Sequence, residues 1–132
     1  MKISKKTQYG LRAMVYLAKE KEKIISLGKV AKAEGIPFDF LEKIFSQLEK
    51  AGLVRAKKGA QGGYFLRKKP KKIKIKEIIG TLEGKKTLVE CLSPKKYFCS
   101  REKKCLTKIF WQKFQKIIDS ALNSIVLADL IK

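Results

Sequence analysis

Residues 26–66 read SLGKVAKAEGIPFDFLEKIFSQLEKAGLVRAKKGAQGGYFL, and the turn signals in this stretch decide the fold. Ser26 is placed to cap a short helix running to Glu34, and Gly35 ends it in a left-handed turn. Pro37 opens a second helix at a first-turn position, where its missing N–H costs nothing. Phe40, Leu41, Ile44, Phe45 and Leu48 form the apolar stripe of that helix, and Gly52 terminates it. A short helix, a glycine turn and a longer helix make a helix-turn-helix. Leu53–Lys57 then reads as a strand, residues 58–63 as a glycine-rich turn, and Tyr64–Leu66 as the returning strand. A β-hairpin directly after a helix-turn-helix is a wing.

Outward from this unit, Thr7–Lys19 reads as a helix with Leu11, Met14, Val15 and Ala18 at helical spacing and Thr7 as N-cap. Residues 20–23 read as a charged turn. On the other side, residues 67–72 are basic, contain Pro70 and read as a loop. Ile73–Ile75 reads as a short strand, and Lys76–Leu82 as a helix ended by Gly84. Residues 85–104 have no clean period and hold Pro94 and the cysteines; a loop of that length in a compact domain is usually functional or disordered. From Leu106 a strong helical period returns at Ile109, Phe110, Phe114, Ile117, Ile118, Ala121, Leu122 and Ile125, and residues 124–130 read as a final short helix. A long apolar helix outside a small domain needs a partner, and a second copy of the chain is the economical one. The expected fold is mainly α with a small β-hairpin: a winged helix-turn-helix domain (1–84), a cysteine loop (85–105), and a dimerisation helix with a short C-terminal helix (106–132).

Composition narrows the function. Lys and Arg number 32 against 12 Asp and Glu, for a formal charge of +20. A thermophile's lysine-rich surface would raise Glu alongside Lys, so an acidic partner explains the surplus better. Charge alone admits DNA or an anionic membrane. No apolar run approaches a bilayer span and no signal peptide is evident, so a cytoplasmic protein is expected. The chain has no histidine, which excludes His-based triads and His-containing metal sites. There is no nucleotide loop, no paired carboxylates in helical register and no nucleophile–base arrangement, so an enzyme is not expected.

The stretch from Arg55 to Lys76 holds ten Lys/Arg and no acid. Such a run suits phosphates, whose neutralisation releases counterions and makes binding salt-dependent. The candidate contacts of the wing are Arg55, Lys57, Lys58, Gly59, Gln61, Gly62 and Gly63; the glycines let backbone approach a groove closely, and Lys58 at the tip reaches toward the minor groove. In the first turns of the recognition helix, Asp39, Glu42 and Lys43 face base edges. Two roles fit Asp39 and Glu42: accepting from a cytosine amino group, or complementing the positive end of their own helix.

Cys91, Cys99 and Cys105 are separated by seven and five residues within the one loop. Thiolates ligate zinc and iron–sulfur clusters, and Lys95, Lys96, Lys103 and Lys104 nearby suit an anionic cluster. Three thiolates leave one ligand open, and spacing this loose by itself favours three free cysteines in a loop.

Taken together, several segments resemble the IscR and NsrR type of regulator in the Rrf-two superfamily over essentially the whole chain. They are Met1-Lys2-Ile3-Ser4 with Tyr9-Gly10-Leu11-Arg12-Ala13, Ile36-Pro37 through Phe40-Leu41-Glu42-Lys43-Ile44, and Leu48 with Ala51-Gly52-Leu53-Val54. Residues 58–66, Cys105-Leu106-Thr107, Trp111 and Leu127-Ala128-Asp129-Leu130 complete the match. The resemblance implies a homodimer crossed through the long C-terminal helix, palindromic double-stranded DNA sites, and an iron–sulfur cluster, [2Fe-2S] or [4Fe-4S], on Cys91, Cys99 and Cys105. Two departures stand out. The histidine that IscR-like members carry three residues after the last cysteine is Lys108 here. The carboxylate that NsrR-like members supply from the first helix of the other subunit is Gln8. Glu90, Glu102, a small thiol and solvent are the candidates for a fourth ligand.

The leading expectation is therefore a DNA-binding transcription regulator whose affinity follows cluster state. A cluster-free thiol switch or partner-sensing regulator of the same fold is the alternative. An electron-transfer protein would leave the basic wing unexplained, and a nucleoid-type protein would bind without sequence preference.

Overall fold

The computed structural model describes residues 2–84, 87–92 and 103–131; Cys99, Lys95, Lys96 and Glu102 lie outside them. In chain order come α1 (Lys5–Lys19), α2 (Leu27–Glu34), α3 (Phe38–Lys50), β1 (Val54–Lys57), β2 (Gly63–Leu66), α4 (Ile75–Glu83) and α5 (Thr107–Ser124). Short 3-10 turns stand at Pro70–Lys72, Glu90–Leu92 and Leu127–Leu130. The fold is mainly α with one small hairpin.

Helix α1 starts earlier than its sequence suggests, and Thr7 is not its cap. Ser4 is: its hydroxyl accepts from the Thr7 amide at 3.3 Å. Thr7 is buried, and its own hydroxyl donates to Glu83 Oε2 at 3.1 Å. The Ser4 amide donates to the other oxygen of the same carboxylate at 2.6 Å. Ser4 and Thr7 are both good capping residues; the carboxylate at the end of α4, 79 positions away from Ser4, decides between them. The α1–α4 contact closes over Gly10, where a Cβ would stand 2.1 Å from Leu82 Cδ1.

Helix α2 is capped by Ser26, which accepts from the Lys29 amide at 3.2 Å, and ends at Gly35 with φ 64°. Helix α3 buries Leu41, Ile44, Phe45 and Leu48 against Met14, Val30 and Leu53 in one core. Phe40, expected on that stripe, is 40% exposed and sets its ring edge-on against Tyr9 at 5.4 Å. One residue advances a helix by about 100°, so Phe40 flanks the stripe that Leu41 centres.

The hairpin is antiparallel, with Val54 opposite Leu66 and Lys57 opposite Gly63. Ile25 adds a bridge on the outer edge of β2, its amide donating to the Tyr64 carbonyl at 2.9 Å and its carbonyl accepting from Tyr64 at 2.8 Å.

Ile73–Ile75 does not make the expected strand. Lys74 forms a single antiparallel bridge with Val126, the Ile73 carbonyl accepts from Leu127 at 2.8 Å, and Ile75 opens α4. The expected final helix is only the 3-10 turn Leu127–Leu130. Leu127 is fully buried in the same core as α1, α3 and α4. The chain thus leaves the winged domain through α5 and returns to it.

Candidate DNA interface and cysteine loop

Opposite its buried stripe, α3 exposes Asp39, Glu42 and Lys43. They share a shallow groove with Lys6, Ser46 and Gln47. Ser46 and Gln47 lie beyond the first polar positions of the helix, and Lys6 comes from α1 and carries no local sequence signal.

On the wing, Arg55, Lys57, Lys58, Gly59 and Gln61 are exposed. Gly59 has φ +117°, a conformation that favours glycine. Gly62 and Gly63 are half-buried, and the chain itself occupies the space beside them: a Cβ would stand 2.2 Å from the Lys57 carbonyl oxygen at Gly62 and 2.3 Å from that of Ile25 at Gly63. Two further residues fix the wing to α3. Glu49 Oε2 accepts from the Ala56 amide at 3.0 Å, and Tyr64 packs on Phe45 with ring centroids 4.9 Å apart. Burial pushes the Tyr64 hydroxyl above its ordinary pKa, with Glu49 and Glu42 adding to it.

The ten basic residues do not lie on one surface. Arg55, Lys57 and Lys58 belong to β1 and the wing tip, whereas those from Arg67 onward follow β2 at the opposite end of the hairpin. For the tip, Lys58→Ala is expected to weaken duplex binding and to flatten the plot of log K against log salt by about 0.9, one phosphate's worth. Titrations by fluorescence anisotropy at several salt concentrations read this, and an unaltered slope removes Lys58 from the phosphate contacts.

Cys91 sits half-buried in the turn Glu90–Leu92. Cys105, also half-buried, precedes α5, with its Sγ 3.2 Å from Thr107 Oγ1. The segment carrying Cys91 is tied to α5, because the Leu88 amide donates to Gln115 Oε1 at 2.9 Å and Gln115 Nε2 donates to Asp119 Oδ1 at 3.1 Å. Among the described residues no three metal-ligating side chains converge. The donor chemistry nonetheless fits an iron–sulfur cluster: the sequence between α4 and α5 offers three cysteine thiols and no imidazole. Gln8 is exposed and its Nε2 donates to the Ile3 carbonyl at 3.0 Å.

Helix α5 has no buried residue. Trp111, Phe114, Ile118 and Leu122 are half-buried on one side. Leu106, just before the helix, is 86% exposed, Ile109 57%, Phe110 55% and Ile117 66%, and the Phe110 ring also meets Trp111 at 4.9 Å and Phe114 at 5.7 Å. No helix among the described residues is long and apolar enough to cross a membrane.

A helix-turn-helix with an exposed polar recognition face and a basic wing is the architecture of a DNA-binding transcription regulator. The chain belongs to the Rrf2 family, whose description is "Iron-dependent Transcriptional regulator" and whose pattern matches residues 3–132. This is a family of regulators, not of enzymes. Protein rrf2 of Nitratidesulfovibrio vulgaris is 33% identical over 133 residues, covering 100% of this chain and 88% of that protein. Among solved structures, IscR of T. potens is 36% identical with a TM-score of 0.77, over 99% of this chain and 86% of that one. CymR, the global cysteine regulator of B. subtilis, is 35% identical with a TM-score of 0.78, over 99% and 96%.

Proposed function

We propose that the protein works as a homodimer on palindromic DNA, with its affinity set by an iron–sulfur cluster held on Cys91, Cys99 and Cys105. One observation carries the reading: the turn bearing Cys91 is hydrogen-bonded to α5 through Leu88 and Gln115, and α5 packs on α4. Helix α4 in turn packs on α1 and α3. A change at the cysteines therefore has a continuous packed route to the recognition helix. Coupling of this kind needs two arrangements that both sites bias; the angle between α5 and the winged domain is the natural variable, since it sets half-site spacing in a dimer. The cluster would add a dependence on iron supply to the oxidation chemistry that the thiols already have. Asp39, Glu42 and Lys43 would read bases, with Arg55, Lys57, Lys58, Gly59, Gln61, Gly62 and Gly63 at the wing.

Protein purified without oxygen is expected to hold near-stoichiometric iron and acid-labile sulfide per chain, with a visible absorption band. Cys99→Ala should remove most of the iron and the colour while leaving the winged domain folded. About two irons and two sulfides per chain, against about four of each, tells a [2Fe-2S] from a [4Fe-4S] cluster. Colourless protein, still metal-free after reconstitution, overturns the cluster and supports the second reading, a thiol switch in which the three cysteines oxidise to sulfenate or disulfide. That reading is favoured by the likeness to CymR and by Lys108 and Gln8 at the positions where IscR- and NsrR-like members place a fourth ligand.

A further inference from the structure

The hairpin divides the basic run. Val54 and Leu66 pair at the base of the wing and Lys57 and Gly63 next to its tip, while the Arg67 amide donates to the Leu53 carbonyl at 3.1 Å. At roughly 3.3 Å per residue, strands of this length separate tip and base by about 13 Å. Arg67 thus lies at the base of the wing, and the six lysines from Lys68 to Lys76 follow it through the turn Pro70–Lys72 into α4; all seven are exposed. Between them, Ile73 and Ile75 are buried, so this stretch presents cations and no large aliphatic side chain.

Few acids face the surface. Glu77 lies 3.6 Å from Lys68 and accepts from the Lys74 amide; Lys74 Nζ donates to Asn123. Asp129, on the 3-10 turn packed against Pro70–Lys72, uses Oδ2 on the Val126 amide. Among the described residues, Arg67, Lys69, Lys71, Lys72 and Lys76 take part in no ion pair.

We propose that this surface at the base of the wing is a second, sequence-independent duplex-binding site, which holds a DNA segment other than the one met by α3 and the wing tip. Lysines on flexible stems make point-charge contacts that tolerate any phosphate spacing. A specific protein partner would instead call for aromatic or aliphatic anchors in a packed centre, which this stretch does not offer. A regulator with both sites can bridge two segments of one DNA molecule.

The test uses 25-base-pair duplexes of unrelated sequence, some labelled with a donor and some with an acceptor dye, at low salt with limiting protein. The wild type is expected to bind, by anisotropy, and to give energy transfer between duplexes. Lys69→Gln, Lys71→Gln and Lys72→Gln in one chain should keep binding within about threefold yet reduce transfer at least fivefold. The wild-type transfer signal should fall by roughly two to three orders of magnitude in association constant when salt rises fourfold, as about five phosphate contacts require. Two results overturn the site. Undiminished transfer in the triple variant would mean the two heads of a dimer do the bridging. Loss of binding in parallel with transfer would mean these lysines belong to the principal DNA site. Absence of any anisotropy change in the wild type would instead strike at duplex binding itself.

Discussion

Ile117→Glu is expected to give a folded monomer that binds a palindromic duplex at least a hundredfold more weakly than the wild type. Ile117 is 66% exposed and Phe110 55%, and seven residues separate them, which returns a helix to nearly the same face after two turns. Leu106 and Ile109 extend this apolar strip toward the start of α5. The neighbouring face turns toward α4, where Ile118 and Leu122 line a cavity together with Ile79. A two-fold interface uses each residue twice. Burying a large aliphatic or aromatic side chain contributes about 1.5–3 kcal/mol, so four per subunit contribute about 12–24 kcal/mol across the two-fold, against an association cost of about 4–15 kcal/mol. In the proposed homodimer, glutamate at position 117 removes two such contributions and brings two carboxylates into the seam. Because Ile117 is largely exposed in its own chain, the melting temperature should move by only a few degrees. Linked half-site binding commonly gains 10²–10⁴ in affinity, and that gain is what the monomer forfeits. Sedimentation velocity and a duplex titration check the two halves of the expectation. Ile117→Leu should remain dimeric, and a glutamate variant that sediments as the wild type does would place the interface elsewhere.

What the sequence disclosed, and what it withheld, follows from how local the causes are. The helix-turn-helix is legible because Ser26 and Gly35 act within a turn of themselves, on caps and on φ. The hairpin is legible for the same reason, its turn glycines standing between two short apolar runs. The start of α1 was misplaced because the deciding partner, Glu83, is at the far end of α4. The closure of the fold by Leu127 was hidden in the same way: a short apolar tail after a long helix gives no hint that it pairs with Ile73. For the proposed DNA face, charge and position along α3 identify Asp39, Glu42 and Lys43 as exposed. Only the three-dimensional arrangement adds Lys6 from α1 and reveals Glu49 as the residue that holds the wing. Net charge reports how many cations there are and not which way they face, so the division of the basic run between the tip and base of the wing needed the strand register.

Gly63→Ala separates two roles that a wing glycine can have. If Gly63 exists to let DNA approach, alanine there should spare stability and harm binding alone. The packing argues for a structural role first. The added methyl would sit 2.3 Å from the Ile25 carbonyl oxygen, 2.5 Å from its carbon and 2.7 Å from the Ser26 nitrogen, all backbone atoms that cannot rotate away. Strand β2 must then lift off Ile25, breaking both hydrogen bonds between Ile25 and Tyr64. Each backbone group left unsatisfied in a buried position costs about 1–3 kcal/mol. Ile25 is itself buried, and the next residue caps α2, so the disturbance reaches the start of the helix-turn-helix. A destabilisation of about 2–4 kcal/mol is expected, roughly ten degrees in melting temperature for a chain of this size. DNA affinity should fall as well, because the wing no longer leaves α3 at the same angle. Gly28→Ala is the internal comparison. Its Cβ would meet nothing within 4 Å, and it lies inside α2, where alanine is favoured over glycine by about 0.5–1 kcal/mol. That variant should melt slightly higher than the wild type and keep a correctly set wing. Calorimetry on both proteins, followed by duplex titration, distinguishes the roles: a Gly63→Ala protein that melts with the wild type and fails only at DNA would return this glycine to the DNA interface.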